Sequence, residues 1–176
     1  MATAMVEKFK ICMIGATAVG KTSLVARFVS SIFSERYATT IGVRIHARRV
    51  HLGERVVDLI IWDLSGEDEF QSVQPSYLRG ASGYLVVIDG TRRETVDTAI
   101  SLQERVGITV GDAPFIAALN KTDLAGSWDL DDEQFAALEG RGWSLLRTSA
   151  KTGEGVEEAF EQLTIKMLEH QAEAWT

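Results

Sequence analysis

The octapeptide Gly15-Ala-Thr-Ala-Val-Gly20-Lys21-Thr22 lies between two stretches of different hydrophobic period, and this placement constrains the fold more than any other feature. Before it, Phe9 to Ile14 is a short apolar run of strand length; after it, Leu24, Val25, Phe28 and Val29 recur at helical spacing. The segment reads strand, glycine loop, helix, the context in which the pattern G-x-x-x-x-G-K-[ST] holds phosphate. Successive backbone N–H groups in such a loop can curl around an anion, and the following helix aims its positive end at the same place. Lys21 is placed to reach β- and γ-phosphates and the Thr22 hydroxyl to ligate Mg²⁺. The expected cradle spans Gly15, Thr17, Ala18, Val19, Gly20 and Ser23.

The rest of the chain alternates in the same manner. Val43 to Leu52 shows β-branched alternation and Val56 to Trp62 is a denser apolar run, with Gly53-Glu54 as the turn of a hairpin. A polar stretch from Asp63 to Arg79 shows no clear period. Gly83 to Asp89 is an unbroken apolar run, expected to be a central strand covered on both faces. Val96, Ala99, Ile100, Gln103 and Val106 predict a helix, Pro114 to Leu119 a buried strand, Asp132 to Leu138 a short helix and Trp143 to Leu146 a last strand. Val156, Ala159, Phe160, Leu163 and Met167 form the apolar face of a closing helix. This order predicts a doubly wound α/β fold with ligands at the carboxyl ends of the strands. At 176 residues, one domain spanning 1–176 is expected, without repeat or linker.

Charge and cysteine usage narrow the partners. A formal net charge of -7 disfavours a nucleic-acid footprint and an anionic membrane surface. The single cysteine, Cys12, sits in an apolar run and reads as a buried small hydrophobe, which fits a reducing cytoplasm. No stretch is apolar enough to span a bilayer, and the last residues carry no cysteine, so no intrinsic membrane anchor is expected in this chain.

Two segments speak to the base. Asn120-Lys-Thr-Asp123 follows a buried strand; the Asp123 carboxylate is suited to accept from N1–H and N2–H₂ of guanine, donors that adenine lacks. Adenine would leave that carboxylate unpaired. Asn120 is expected to tie neighbouring loops together and the Lys121 stem to lie over the base. Thr148-Ser149-Ala150-Lys151 follows the last strand and would bring backbone N–H groups of Ala150 and Lys151 near guanine O6.

With these motifs in order, the chain resembles a small GTPase of the Ras superfamily, nearest in wording to the Rab branch. The resemblance implies a P-loop G domain: a six-stranded, mostly parallel sheet with one antiparallel edge strand and helices on both faces. It implies GTP or GDP with Mg²⁺ as ligands, and effector, activating and exchange proteins as partners. Tyr37-Ala-Thr-Thr40-Ile-Gly42 resembles switch I, which makes Thr40 a contact to Mg²⁺ and the γ-phosphate. Phe33 falls where the family places an aromatic edge against guanine, although by its residues alone it reads equally as a core aromatic. Trp62-Asp63-Leu-Ser-Gly66-Glu67 resembles the start of switch II, with Asp63 holding Mg²⁺ through water and Gly66 N–H on the γ-phosphate. Ser149, Ala150 and Lys151 complete the base site by the same resemblance.

The chain departs from the family at Glu67, where a glutamine usually orients the attacking water. An ionised glutamate only accepts hydrogen bonds and adds negative charge beside the γ-phosphate, so slow intrinsic hydrolysis is expected. The catalytic set inferred is Lys21, Thr40, Gly66 and Glu67. Arg36 and Arg44 are the nearest arginines to switch I by sequence, with a solvated surface as the plainer reading. A GTP/GDP-binding scaffold with negligible hydrolysis is the alternative to a switch, and a P-loop kinase or ATPase is opposed by Asn120 to Asp123.

Overall fold

The computed structural model describes residues 5–30, 43–64 and 74–176 together with the backbone of 36–40. Its strands are β1 (Glu7–Gly15), β2 (Arg36–Thr40), β3 (Val43–Leu52), β4 (Arg55–Asp63), β5 (Gly83–Asp89), β6 (Phe115–Asn120) and β7 (Leu145–Arg147). The helices are α1 (Lys21–Val29), α2 (Pro75–Leu78), α3 (Glu94–Val110), α4 (Asp132–Gly140) and α5 (Val156–Glu173), with a 3-10 helix over Thr122–Ser127.

One sheet runs β2-β3-β4-β1-β5-β6-β7. Strands β4, β1, β5, β6 and β7 are parallel, and β3 pairs antiparallel with β4, which gives the expected six-stranded sheet. A short seventh strand, β2, extends it beyond β3 as an antiparallel edge. That strand is formed by the segment that resembles switch I; its Tyr37-Ala-Thr-Thr run has too little alternation to be read as a strand without the neighbouring edge to pair with.

Alternation along each strand divides the core between two faces. On one face Ile11, Met13, Leu59, Leu85 and Val87 meet α1 and α5. There Phe28 of α1 and Phe160 of α5 stack with ring centroids 3.9 Å apart, and the Arg48 guanidinium lies over Phe28 while donating to its carbonyl at 2.6 Å. On the other face Cys12, Ile14, Tyr84, Val86 and Ile88 meet α2, α3 and α4. Burial pushes the Cys12 thiol up to about 12, against a small opposing effect of Lys10, which keeps it a packing group. Every residue of β5 is buried, as the unbroken run predicts.

Element bounds differ from the sequence reading mainly at the ends. The last strand begins at Leu145, because Trp143 leaves the strand to pack edge-on against Phe115 at 5.2 Å. The polar stretch after Asp63 contains α2, a single turn started by Pro75 and too short to show a period.

Candidate nucleotide site

Strands β1, β4, β5 and β6 end at Gly15, Asp63, Asp89 and Asn120, so their carboxyl ends bring four of the loops to one edge of the sheet. Strand order reverses beside β1, the place where open α/β sheets bind ligands.

The loop after β1 is held by its carbonyls. Lys21 Nζ, almost fully buried, donates to Gly15 O at 2.5 Å and Ala16 O at 3.0 Å. Arg92 Nη2 donates to Thr17 O at 2.7 Å, Lys121 Nζ to Ala18 O at 3.1 Å, and Asn120 Nδ2 to Val19 O at 2.9 Å. Five consecutive carbonyls are thus engaged by side-chain donors, and Gly20 O accepts the helical bond from Leu24 N. A trans peptide unit is planar with its N–H opposite its C=O, so each carbonyl that is held turns the following N–H the other way. Such a loop can bind an anion through its N–H groups.

The backbone needed for this is strained. Gly15 (φ 150) and Gly20 (φ 105) have positive φ, and a Cβ on Gly15 would lie 2.5 Å from Val87 O. Among the described residues the non-glycine positions with positive φ are Ala18 (φ 60) and Lys121 (φ 74), and the hydrogen bond from Lys121 to Ala18 joins them. Strain of this kind persists where surrounding contacts over-determine it.

The base-side loops are joined to the phosphate loop by Asn120. Besides donating to Val19 O, its Oδ1 accepts from Thr148 Oγ1 at 3.2 Å and from Ala150 N at 3.3 Å. The Ala150 N–H, expected to face the base, is therefore shared with Asn120 here. Asp123 Oδ1 accepts from Ser149 Oγ at 2.7 Å, and that hydroxyl accepts from Thr152 N at 3.1 Å. Trp128 Nε1 donates to Lys121 O at 2.8 Å, bracing the left-handed residue from behind. Gly20, Ser23, Asn120, Lys121, Asp123 and Lys151 stand among the walls of a cleft of about 410 Å³, a size that suits a small-molecule ligand.

Thr22 Oγ1 donates to Asp63 Oδ2 at 2.7 Å across the mouth of the loop, with Asp63 buried at the end of β4. A hydroxyl and a carboxylate oxygen together beside a phosphate cradle fit Mg²⁺, which takes few protein oxygens and keeps phosphate and water as its other ligands.

Sequence reasoning missed Asp89 and Arg92. The Asp89 side chain is fully buried, and it accepts from Lys121 Nζ at 2.6 Å, Thr91 Oγ1 at 2.7 Å, Thr91 N at 2.9 Å and Arg92 Nε at 2.9 Å. Burial raises its pKa, but the hydrogen bonds from Lys121, Thr91 and Arg92 outweigh that and hold it at about 2. The available signal was a lone carboxylate ending the most apolar strand, three residues before an arginine. Arg44, one of the two arginines singled out by sequence, is exposed on β3 opposite Asp63, while Arg92 reaches the phosphate loop. Phe33, Gly66 and Glu67 lie outside the described residues, as does the side chain of Thr40, whose backbone ends β2.

Comparison with known proteins agrees with this geometry. The sequence model of the Ras family matches residues 10–169. Ras-related protein RABA6a of Arabidopsis thaliana is 37% identical over 154 residues, covering 86% of this chain and 66% of that protein. Ras-related protein RABC2a of the same plant is 35% identical over 173 residues, 92% and 78% of the two chains. Ras-related protein Rab-2B of Dictyostelium discoideum is 34% identical over 164 residues, 91% and 80%. The chain spans about two thirds of the length of the first of these relatives. Members of this family are GTPases that bind GTP or GDP with Mg²⁺. A phosphate loop, a guanine-type loop and a doubly wound sheet in one order, together with these matches, mean that the chain belongs to the Ras family of small GTPases, among its Rab-like members.

Proposed function

We propose that residues 1–176 form a single G domain that acts as a GTP/GDP switch with slow intrinsic hydrolysis. The observation that carries this reading is Asn120: one amide bonds the phosphate loop at Val19 and the base-side segment at Thr148 and Ala150. Nucleotide specificity and phosphate binding therefore belong to one connected site. Asp123 reads the guanine N1–H and N2–H₂, with Ser149 orienting its carboxylate and Ala150 and Lys151 nearby. Lys21 and the N–H groups from Thr17 to Ser23 hold the phosphates. Thr22, Asp63 and Thr40 would hold Mg²⁺, which when bound offsets charge between the β- and γ-phosphates.

When GTP is present, Thr40 and the Gly66 N–H engage the γ-phosphate and order the two switch segments; hydrolysis releases them. The Trp62 and Tyr77 rings, 6.3 Å apart and partly exposed, with Lys10 Nζ 3.8 Å from the Trp62 ring, offer an aromatic surface beside the switches for effector proteins. Activating and exchange proteins would act at the same edge. A reducing cytoplasm suits the buried thiol of Cys12; among the described residues no helix is long and apolar enough to cross a membrane.

Displacement of labelled GDP by GTP and by ATP, followed by a single-turnover phosphate-release course, tests the reading. Displacement by GTP at least a hundredfold more effective than by ATP is expected, with release over minutes to hours. Equal displacement would refute it. Glu67 favours one second reading, a scaffold that retains GTP; no release over a day with full occupancy would establish that instead.

A further inference from the structure

Four of the five loop carbonyls are held by residues of the two motifs, Lys21, Lys121 and Asn120. The exception is Thr17 O, which is held by Arg92 from the turn after β5. We propose that Arg92 is a positioning residue for nucleotide binding: by holding the Thr17 carbonyl it turns the Ala18 N–H into the phosphate cradle. The inference rests on the guanine-nucleotide reading above and adds to it a residue outside every motif.

Three observations carry this. The peptide unit between Thr17 and Ala18 is planar, so fixing its oxygen fixes its N–H. Ala18 has φ 60, a conformation that a non-glycine residue holds only under external constraint. Arg92 is itself oriented, because its Nε donates to the buried Asp89 Oδ2 at 2.9 Å while Nη2 reaches Thr17 O at 2.7 Å. The same Asp89 oxygen accepts Lys121 Nζ, and Lys121 holds the next carbonyl, Ala18 O. One carboxylate therefore orients two cations on two successive peptide units. The planar guanidinium serves Asp89 through Nε and Thr17 O through Nη2, two donors held in a fixed relative direction, whereas the shorter lysine stem would have to meet both acceptors from one nitrogen.

A role confined to folding would weaken all ligands alike, whereas a role in the loop falls on the phosphates beyond the first. Titration calorimetry of the whole chain with Mg²⁺ and either GDP or GMP separates the two. Arg92→Ala is expected to weaken GDP about tenfold, the loss of one charge-assisted hydrogen bond, while GMP changes less than twofold. Arg92→Lys should fall between, regaining part of the GDP affinity. A GDP-to-GMP ratio unchanged in Arg92→Ala overturns the proposal, whether both affinities fall or neither does. Should Arg92→Ala fail to fold by circular dichroism, the ratio in Arg92→Gln is read by the same criterion. Wild-type protein that binds ADP as well as GDP would instead refute the guanine reading, so the two failures are distinguishable.

Discussion

Gly20 and Asn120 approach so closely that a methyl group on the first would overlap the side-chain amide of the second. That contact is where the phosphate loop and the base-side loop meet, since the same amide donates to Val19 O. Gly20 also has φ 105, so alanine there meets both backbone strain and a steric clash. Gly20→Ala should weaken GDP binding by about tenfold or more, as strain of roughly 1–3 kcal/mol is imposed on the bound geometry. Gly140→Ala, at the end of α4 with open space where its Cβ would lie, should bind GDP as wild type does. Equal affinities for all three proteins by titration calorimetry would show that the contact is dispensable.

Glu67 carries the argument about turnover. With glutamine at that position the side chain can both accept from water and donate toward the transferring phosphoryl group. Glu67→Gln should therefore speed single-turnover GTP hydrolysis by about tenfold or more. An unchanged rate would remove charge at this position as the reason for slow turnover.

Asp89 links the site to acid stability. Its folded-state pKa of about 2 lies below the ordinary aspartate value, so the folded state binds this proton less readily than the unfolded chain. The stabilisation is present above about pH 4 and is lost as pH falls toward 2. Urea unfolding of wild type and Asp89→Asn should differ by roughly 2 kcal/mol at pH 6, with the gap narrowing below pH 4. A gap that does not depend on pH would mean that Asp89 contributes through packing alone.

The Phe28 and Phe160 pair joins α1 to α5, and Arg48 covers the outer face of Phe28. Phe28→Ala removes a buried ring and with it the stacking on Phe160 and the ring face under Arg48, at a cost of about 3–5 kcal/mol. The expected result is a lower urea midpoint with an unchanged slope. A shift corresponding to less than about 1 kcal/mol would mean that the helices close the gap.

Much of this protein was legible from local pattern. The strand, loop and helix around Gly15 to Thr22 appear where the change of hydrophobic period puts them, and β5 is buried throughout as its unbroken run requires. Asn120 ties the loops together as its place in Asn120-Lys-Thr-Asp123 implies. Such features are readable because periodicity and short motifs encode interactions among residues close in sequence, or loops whose chemistry demands particular side chains.

What the sequence left open depends on which strand ends stand side by side. β2 exists as a strand because β3 presents it an edge, and pairing of that kind is not encoded in the five residues themselves. Asp89 and Arg92 belong to no motif, and Arg92 is 75 residues from the carbonyl it holds. Their roles arise because β5 lies next to β1 in the sheet, which brings a buried carboxylate beneath the phosphate loop and turns two cations onto its carbonyls. The chain by itself thus determined the class of fold and the ligand chemistry. The tertiary structure decided which side chains hold the loop in shape, because that is a matter of proximity between strand ends rather than of spacing along the chain.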